Sequence, residues 1–178
     1  INGIAYFSDP SNGRARTRFF TSIARLLYLK LRETPTDMRY EQFWNFMKPF
    51  QRTAESLKQA GVQSEQAKLI LVGWVRDLRG VAMATKLREH YQLLYEWLFP
   101  AHVGILGAAM TAHANDPFVT TPILKLFACL VHNRAHRIVF PPSSAGGIIL
   151  FRAASNIIEA FSKTALQNKG VNGDPYKT

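Results

Sequence analysis

Acidic residues are scarce in this chain. Twelve Asp and Glu stand against twenty-two Lys and Arg, a formal net charge of +10. The twelve lie scattered, and no two make an evident acid–base pair across a cleft. Cysteine is rarer still. Cys129 stands alone, so no disulfide can form within the chain, which fits a reducing compartment. It lies inside an apolar run and reads as a small buried hydrophobe. Long apolar runs are missing too. Arg76, Asp77, Lys125 and Arg152 break the candidates before they reach the ~18 residues that span a bilayer, so no membrane insertion is expected. The chain opens at Ile1 without a charged-then-apolar leader, and no signal peptide is read in it. There is no Gly-x-Ser-x-Gly elbow and no glycine-rich loop ending in Gly-Lys. The expectation is a protein that is not an enzyme and carries no cofactor or metal.

What is present is helical period from end to end. In residues 14–32, Phe20, Ile23, Leu27 and Leu31 share one face, after a turn at 9–13. A second helix carries Tyr40, Phe43, Met47, Phe50, Ala54 and Leu57 at steps of three and four. Thr36 or Asp37 would cap it, Pro49 would kink or end it, and Gly61 lies just past it. The third, from Ser64 to about Thr85, is apolar nearly all round and belongs in the middle of a stack; Leu69, Trp74 and Leu78 are among its apolar positions. A fourth covers 87–99, Pro100 interrupts, and a fifth covers 101–114. Asp116-Pro117 opens a sixth that runs to about Arg137. Residues 140–147 are the clearest loop. The last helix runs from Ile148 to about Asn168 with Leu150, Ile157, Ile158 and Phe161 toward the core, and 170–178 is a frayed tail. Only Arg137 to Phe140 looks β-like, and it is too short to matter. The reading is all-α: an α-α superhelix of HEAT/armadillo-like repeats in antiparallel helix pairs. Helix starts near 14, 64 and 117 suggest about three repeats in a single segment, 1–178, cut from a longer chain.

Three constellations bear on chemistry. His132 and His136 stand at the spacing of a zinc-binding helix, but Asn133 replaces the needed Glu and no third ligand is evident; they read as a polar helix end. Ser143 to Gly147 could cradle an anion, but no strand precedes it, and it reads as a flexible turn. Arg76, Asp77 and Arg79 place charges on an otherwise apolar helix, where charge must be paired or face a groove. Either Asp77 is held by an Arg of its own or a neighbouring helix, or the three form a charged rung for a partner. Between Arg14 and Arg39 seven basic residues face only Glu33 and Asp37, an excess of five. That excess reads as a solvated helix face or as an attraction for acidic partners. Arg76, Arg79, Arg134 and Arg137 fall near one phase of two helices and would form a ladder of guanidinium groups suited to carboxylates. With Asp77, His132 and Asn133 they make the expected partner-binding set.

Several blocks together resemble one family. LVGWVRDLRGVA (71–82), YEWLFP (95–100), DPFVTTPILKLFACLVHNRAHR (116–137) and SSAGGIILFR (143–152) are similar to the exportin-7 family of Ran-binding karyopherins, in the importin-β superfamily. RARTRFFTSIARLL (14–27) and YEQF (40–43) match in the same order, so the resemblance spans about Asn12 to Ile158. It implies a HEAT-repeat nuclear transport receptor, shuttling between nucleus and cytoplasm. Its implied partners are Ran-GTP, a protein cargo and nucleoporins. The blocks belong to the family's middle part, after its N-terminal Ran-binding repeats. The superfamily tends to be acidic, and this stretch is basic. Two other readings remain open: a HEAT scaffold without a transport role, and a nucleic-acid-binding helical repeat. The aromatics oppose the latter, because Phe20, Phe43, Phe50 and Phe161 lie on core stripes where no base could stack.

Overall fold

A computed structural model describes Asp9 and residues 12–168. Part of the turn expected at 9–13 and the tail from Gly170 lie outside the described residues. Seven α-helices follow one another: α1 (Gly13–Glu33), α2 (Thr36–Ala60), α3 (Glu65–Ala84), α4 (Arg88–Leu98), α5 (Val103–Ala112), α6 (Pro117–Val131) and α7 (Gly146–Asn168). Among the described residues there is no strand. The helices form two layers. α1, α3 and α6 lie side by side in one, with α3 between its neighbours, while α2, the α4–α5 pair and α7 make up the other. α4 and α5 are bent 63° apart at Phe99-Pro100, where the expected break falls. No single described helix is long and apolar enough to cross a membrane.

Local chemistry sets the helix ends. Ser64 Oγ accepts from the Ala67 amide at 3.1 Å and opens α3. Asp116 Oδ1 accepts from the Phe118 amide at 2.9 Å, with Pro117 in the first turn where its missing N–H is harmless. Gly61 ends α2 at a φ of 72°, a conformation that costs a Cβ-bearing residue energy. Two expectations at α2 are corrected. Pro35, not Thr36 or Asp37, precedes its first turn, and no side chain caps it. The helix also runs unbroken through Pro49, which is exposed.

The core is continuous across both layers. α3 is buried on several sides, as its composition predicts. Trp74 is 2% exposed and donates from Nε1 to the Phe50 carbonyl at 3.0 Å, tying α3 to α2. Phe43, Met47, Leu71, Leu78, Leu106 and Ile123 are fully enclosed in the same core. Tyr40, Leu69 and Ile158 are exposed instead, because each lies at the edge of an apolar stripe that turns toward solvent. The edge helices also leave Leu26 and Leu29 of α1 and Phe151 of α7 exposed.

α1 and α3 approach unusually closely. A Cβ on Gly80 would lie 2.6 Å from the Thr17 carbonyl and 2.7 Å from Phe20 Cβ. Gly73, two turns earlier on the same face, lies against the Arg16 guanidinium. Two expectations follow. Trp74→Ala lowers stability by about 3–5 kcal/mol in urea unfolding, through its cavity and its lost hydrogen bond. Gly80→Ala lowers it as well, by about 1–3 kcal/mol, although alanine is the better helix former by about 1 kcal/mol. A gain in stability for Gly80→Ala would show that the two backbones are not in contact.

Candidate partner-binding face

Three helices bring their cationic side chains to one solvent face. In α3, Arg76, Arg79 and Met83 follow at steps of three and four, and Lys86 continues the row just beyond the helix. In α1, Arg14, Arg25 and Arg32 are separated by whole numbers of turns and so share a side. Lys125 stands exposed on α6. Between them lie three depressions. One of about 310 Å³ is walled by Arg14, Arg76, Arg79, Phe118, Thr121 and Lys125. The next, about 730 Å³, shares Arg79 and Lys125 with it and adds Arg25, Lys86, Cys129 and His132. The third, about 240 Å³, shares Arg25 and Lys86 and ends at Arg32 and His90. Together they form one trench, and among the described residues no carboxylate lines any part of it. Arg14, Arg25, Arg79, Lys86 and Lys125 take part in no ion pair or side-chain hydrogen bond among the described residues.

The expected site residues divide between this face and the frame behind it. Arg76 and Arg79 are half-buried on the trench wall; Arg76 packs over Gly13 and lies 5.5 Å from the Phe118 ring centroid. Burial, with the Arg16 cation nearby, lowers the Arg76 pKa, and Asp77 opposes the change. His132 is exposed at the trench. Asp77 faces away from it. It is 7% exposed and receives a forked pair of hydrogen bonds from Arg16, Nε to Oδ1 at 2.5 Å and Nη2 to Oδ2 at 2.6 Å. Burial pushes its carboxyl up to about 6, against the pull of Arg16. That is the internal pairing weighed for Asp77 from sequence. Arg137 borders the large depression but is buried, its guanidinium held by backbone. It donates to the carbonyls of Ala82 at 3.0 Å, Thr85 at 2.6 Å and Cys129 at 2.5 Å, and to the Thr85 hydroxyl, with its guanidinium 5.3 Å from the Tyr91 ring centroid.

The expected ladder of Arg76, Arg79, Arg134 and Arg137 on two equivalent helices is corrected. α6 stops at Val131, six residues early. His132 is extended, a 3₁₀ turn covers Arg134–His136, and Ala135 and His136 have φ of 60° and 53°. Asn133 holds this turn: its Oδ1 accepts from the Ile138 amide at 2.7 Å and its Nδ2 donates to the Ile138 carbonyl at 3.4 Å. His132 and His136 therefore do not share a helical face, and no group of three metal-ligating residues exists among the described residues. The side chain of Arg134 lies outside the described residues. Sequence reasoning missed Arg14, Arg25, Lys86 and Lys125 as members of one surface. The signal for the first two was their eleven-residue spacing, three helical turns.

Comparisons with known proteins place the chain in a family context. It is 42% identical over 168 residues to exportin-7-B of Xenopus laevis, covering 92% of this chain and 15% of that protein. Ran-binding protein 16 of Drosophila melanogaster is also 42% identical, over 91% of this chain and 15% of its own length. Ran-binding protein 17 of Homo sapiens is 35% identical over 97% of this chain and 16% of its own. The chain thus spans about 15% of the length of the curated relatives it matches. No family model matches it, and no solved structure matches it. The resemblance carried by 71–82, 116–137 and 143–152 is shown: along nearly all its length this chain is a relative of exportin-7 and Ran-binding proteins 16 and 17.

Two outcomes test the frame. Arg16→Met leaves the Asp77 charge buried and unpaired, so it costs about 3–5 kcal/mol, whereas Arg16→Met combined with Asp77→Leu returns most of that loss, a double-mutant cycle closed by Asp77→Leu alone. A loss for the double variant equal to the sum of the two single losses would mean the pair is not coupled. The second outcome concerns pH. Burial lowers the pKa of both His90 and His102, leaving the Nδ1 of each without a partner among the described residues. The unfolded chain then binds more protons below the ordinary value of 6.5, so stability falls as pH drops through that value toward the folded pKa. Asp77 acts oppositely, losing stability as pH rises toward 6. Substituting His90 and His102 by Phe removes the histidine contribution. The variant's melting temperature should fall less than the parent's between pH 7 and pH 5.

Proposed function

We propose that this chain, a relative of exportin-7 and of Ran-binding proteins 16 and 17, is a stretch of a nuclear transport receptor. The carrying observation is the identity of up to 42% that extends over more than nine-tenths of the chain. In this reading the whole protein binds Ran-GTP and a protein cargo, engages nucleoporins and shuttles between nucleus and cytoplasm. It works by binding and catalyses nothing. The pairs α2–α3 and α4/α5–α6 act as repeat units, α1 and α7 are halves of flanking ones, and the exposed apolar sides of α1 and α7 suit further stacking. About three repeats of a longer solenoid would be represented.

The trench on α1, α3 and α6 is the partner-facing surface of this stretch. Arg76, Arg79 and His132 of the sequence-derived set meet the partner there, joined by Arg14, Arg25 and Lys125. Asp77 and Arg137 keep the helices that carry them in register, and Asn133 fixes the turn after α6. Arg134, on that turn, stays in the proposed set by position alone. A cationic trench without carboxylates favours an acidic partner surface, which both raises the rate of encounter and selects against basic partners.

The full-length protein carrying this stretch should bind Ran loaded with a non-hydrolysable GTP analogue and fail to bind Ran-GDP, as measured by calorimetry. Equal affinity for the two nucleotide states would remove the transport reading and leave a helical scaffold.

A further inference from the structure

We infer that the trench is a binding site for an extended acidic peptide segment of about eight residues. The inference rests on the reading of this face as a protein-binding surface and adds the form of what binds. Its length comes from α1. Arg14 and Arg32 mark the two ends and are eighteen residues apart on one helix, which is about 27 Å. An extended chain rises about 3.3 Å per residue, so about eight residues fill that distance. The three depressions share their bounding residues in pairs and so adjoin one another between Arg14 and Arg32.

The lining gives the chemistry. Five cations without an ionic partner among the described residues line the path: Arg14 and Arg25 on α1, Arg79 and Lys86 on or beside α3, Lys125 on α6. They stand on walls on either side of the path, so carboxylates on both sides of an extended chain find a partner. The surfaces between them are apolar: Met83 and Ala128 in the large depression, Leu29 and Leu87 in the end one. Met83, Leu29 and Leu87 are all exposed. A segment mixing Asp or Glu with aliphatic residues therefore suits the trench, and an all-charged polymer uses only part of it. Nucleic acid fits worse. The Phe and Tyr rings along the path are Phe118, beneath Arg76, and Tyr28, which is buried, and the exposed imidazole of His132 stands alone, so successive bases find no row of platforms.

The test uses this chain and a fluorescein-labelled octapeptide of alternating Glu and Val, followed by anisotropy. The Glu-Val peptide should bind, the Gln-Val peptide of the same shape should bind at least about tenfold more weakly, and raising salt from 50 to 300 mM should weaken the Glu-Val complex. Arg79→Glu with Lys125→Glu should abolish binding of Glu-Val while the helical circular dichroism and the melting midpoint stay put. The same reversed protein should gain affinity for a Lys-Val octapeptide, a gain that loss of folding cannot produce. Lys125→Glu alone, at an exposed position, serves if the double variant melts early. Absence of Glu-Val binding, equal binding of the Gln-Val peptide, or indifference to both variants overturns the inference. So does an eight-nucleotide oligothymidylate that binds more tightly than Glu-Val and displaces it, which would assign the face to nucleic acid. Failure here with Ran-GTP binding intact in the full-length protein rejects only the peptide site. Success here with no nucleotide discrimination keeps the site and rejects only the transport role.

Discussion

The close contact between α1 and α3 governs the rest of this structure. It is possible because Gly80 carries no side chain to hold the two backbones apart, while Gly73 leaves room for the Arg16 guanidinium in the seam. A glycine inside a helix costs about 1 kcal/mol relative to alanine, so two of them in α3 need a structural return. That return is the contact itself: Thr17, Phe20 and Thr21 of α1 rest directly on α3, and Thr17 Oγ1 donates to the Arg76 carbonyl at 3.2 Å. Between the glycines, Asp77 reaches α1 and receives both hydrogen bonds of the Arg16 fork. Such a pair need add little net stability over apolar residues of the same shape, because desolvation offsets most of the attraction. Its effect is on register. A slip of one turn between the helices would leave a buried carboxylate and a buried guanidinium without each other, at a cost of several kcal/mol, so only one alignment is acceptable.

That alignment positions the outward-facing cations. Arg16 and Arg14 lie two residues apart on α1, and Asp77 lies between Arg76 and Arg79 on α3. Helical geometry sends Arg16 and Asp77 into the seam and turns Arg14, Arg76 and Arg79 toward the trench. The pairing inside therefore sets the spacing of charges outside. Arg137 plays the matching role at the other end. It joins two carbonyls at the C-terminal end of α3 and the Cys129 carbonyl of α6 with one guanidinium, so the two trench walls end at a fixed separation. Arginine suits both tasks because its planar fork engages two or more acceptors with little further ordering.

How much of this was legible in the sequence varied with the range of the interaction. The helices were legible, because period and caps are local: Ser64, Gly61 and Asp116-Pro117 act where their chemistry says they should. The end of α6 was not. The apolar period fades after Val131, but nothing in His132 to Arg137 forbids helix; the turn is set by Asn133 reaching Ile138 and by Arg137 reaching a different helix. The first spans a single turn, but the second is long-range, and it draws Arg137 out of the phase that composition assigned it. Asp77 was readable halfway. A carboxylate on an apolar helix needs a partner, and sequence could say so, but it could not choose Arg16 from the many arginines available. The trench itself was hidden for the same reason. Its cations lie on three helices that are distant in the chain, and only the layer order brings them side by side.

The separation of charge in this chain has a physical logic of its own. Like charges gathered on one face repel, and a folded protein relieves that repulsion by interspersing acids among bases. Here the acids do occur, but they are placed elsewhere. Glu65 and Asp116 both meet Lys68, Glu89 meets Arg39, Glu159 meets Lys163, and Asp77 is enclosed with Arg16. Surface pairs of this kind contribute at most about 1 kcal/mol each, so stability alone does not require them to be where they are. Moving one acid from those pairs into the trench would serve stability as well and would reduce the repulsion there. The trench nevertheless remains without one. At physiological ionic strength the screening length is about 8 Å, which is shorter than the trench, so its two ends scarcely feel each other. Neighbours such as Arg79 and Lys125, which wall the same depressions, are close enough to do so. In the proposed complex the local repulsion is relieved as the partner's carboxylates enter. A face built in this way is more favourable in the bound state than in the free one, and that difference is what a partner-binding surface requires.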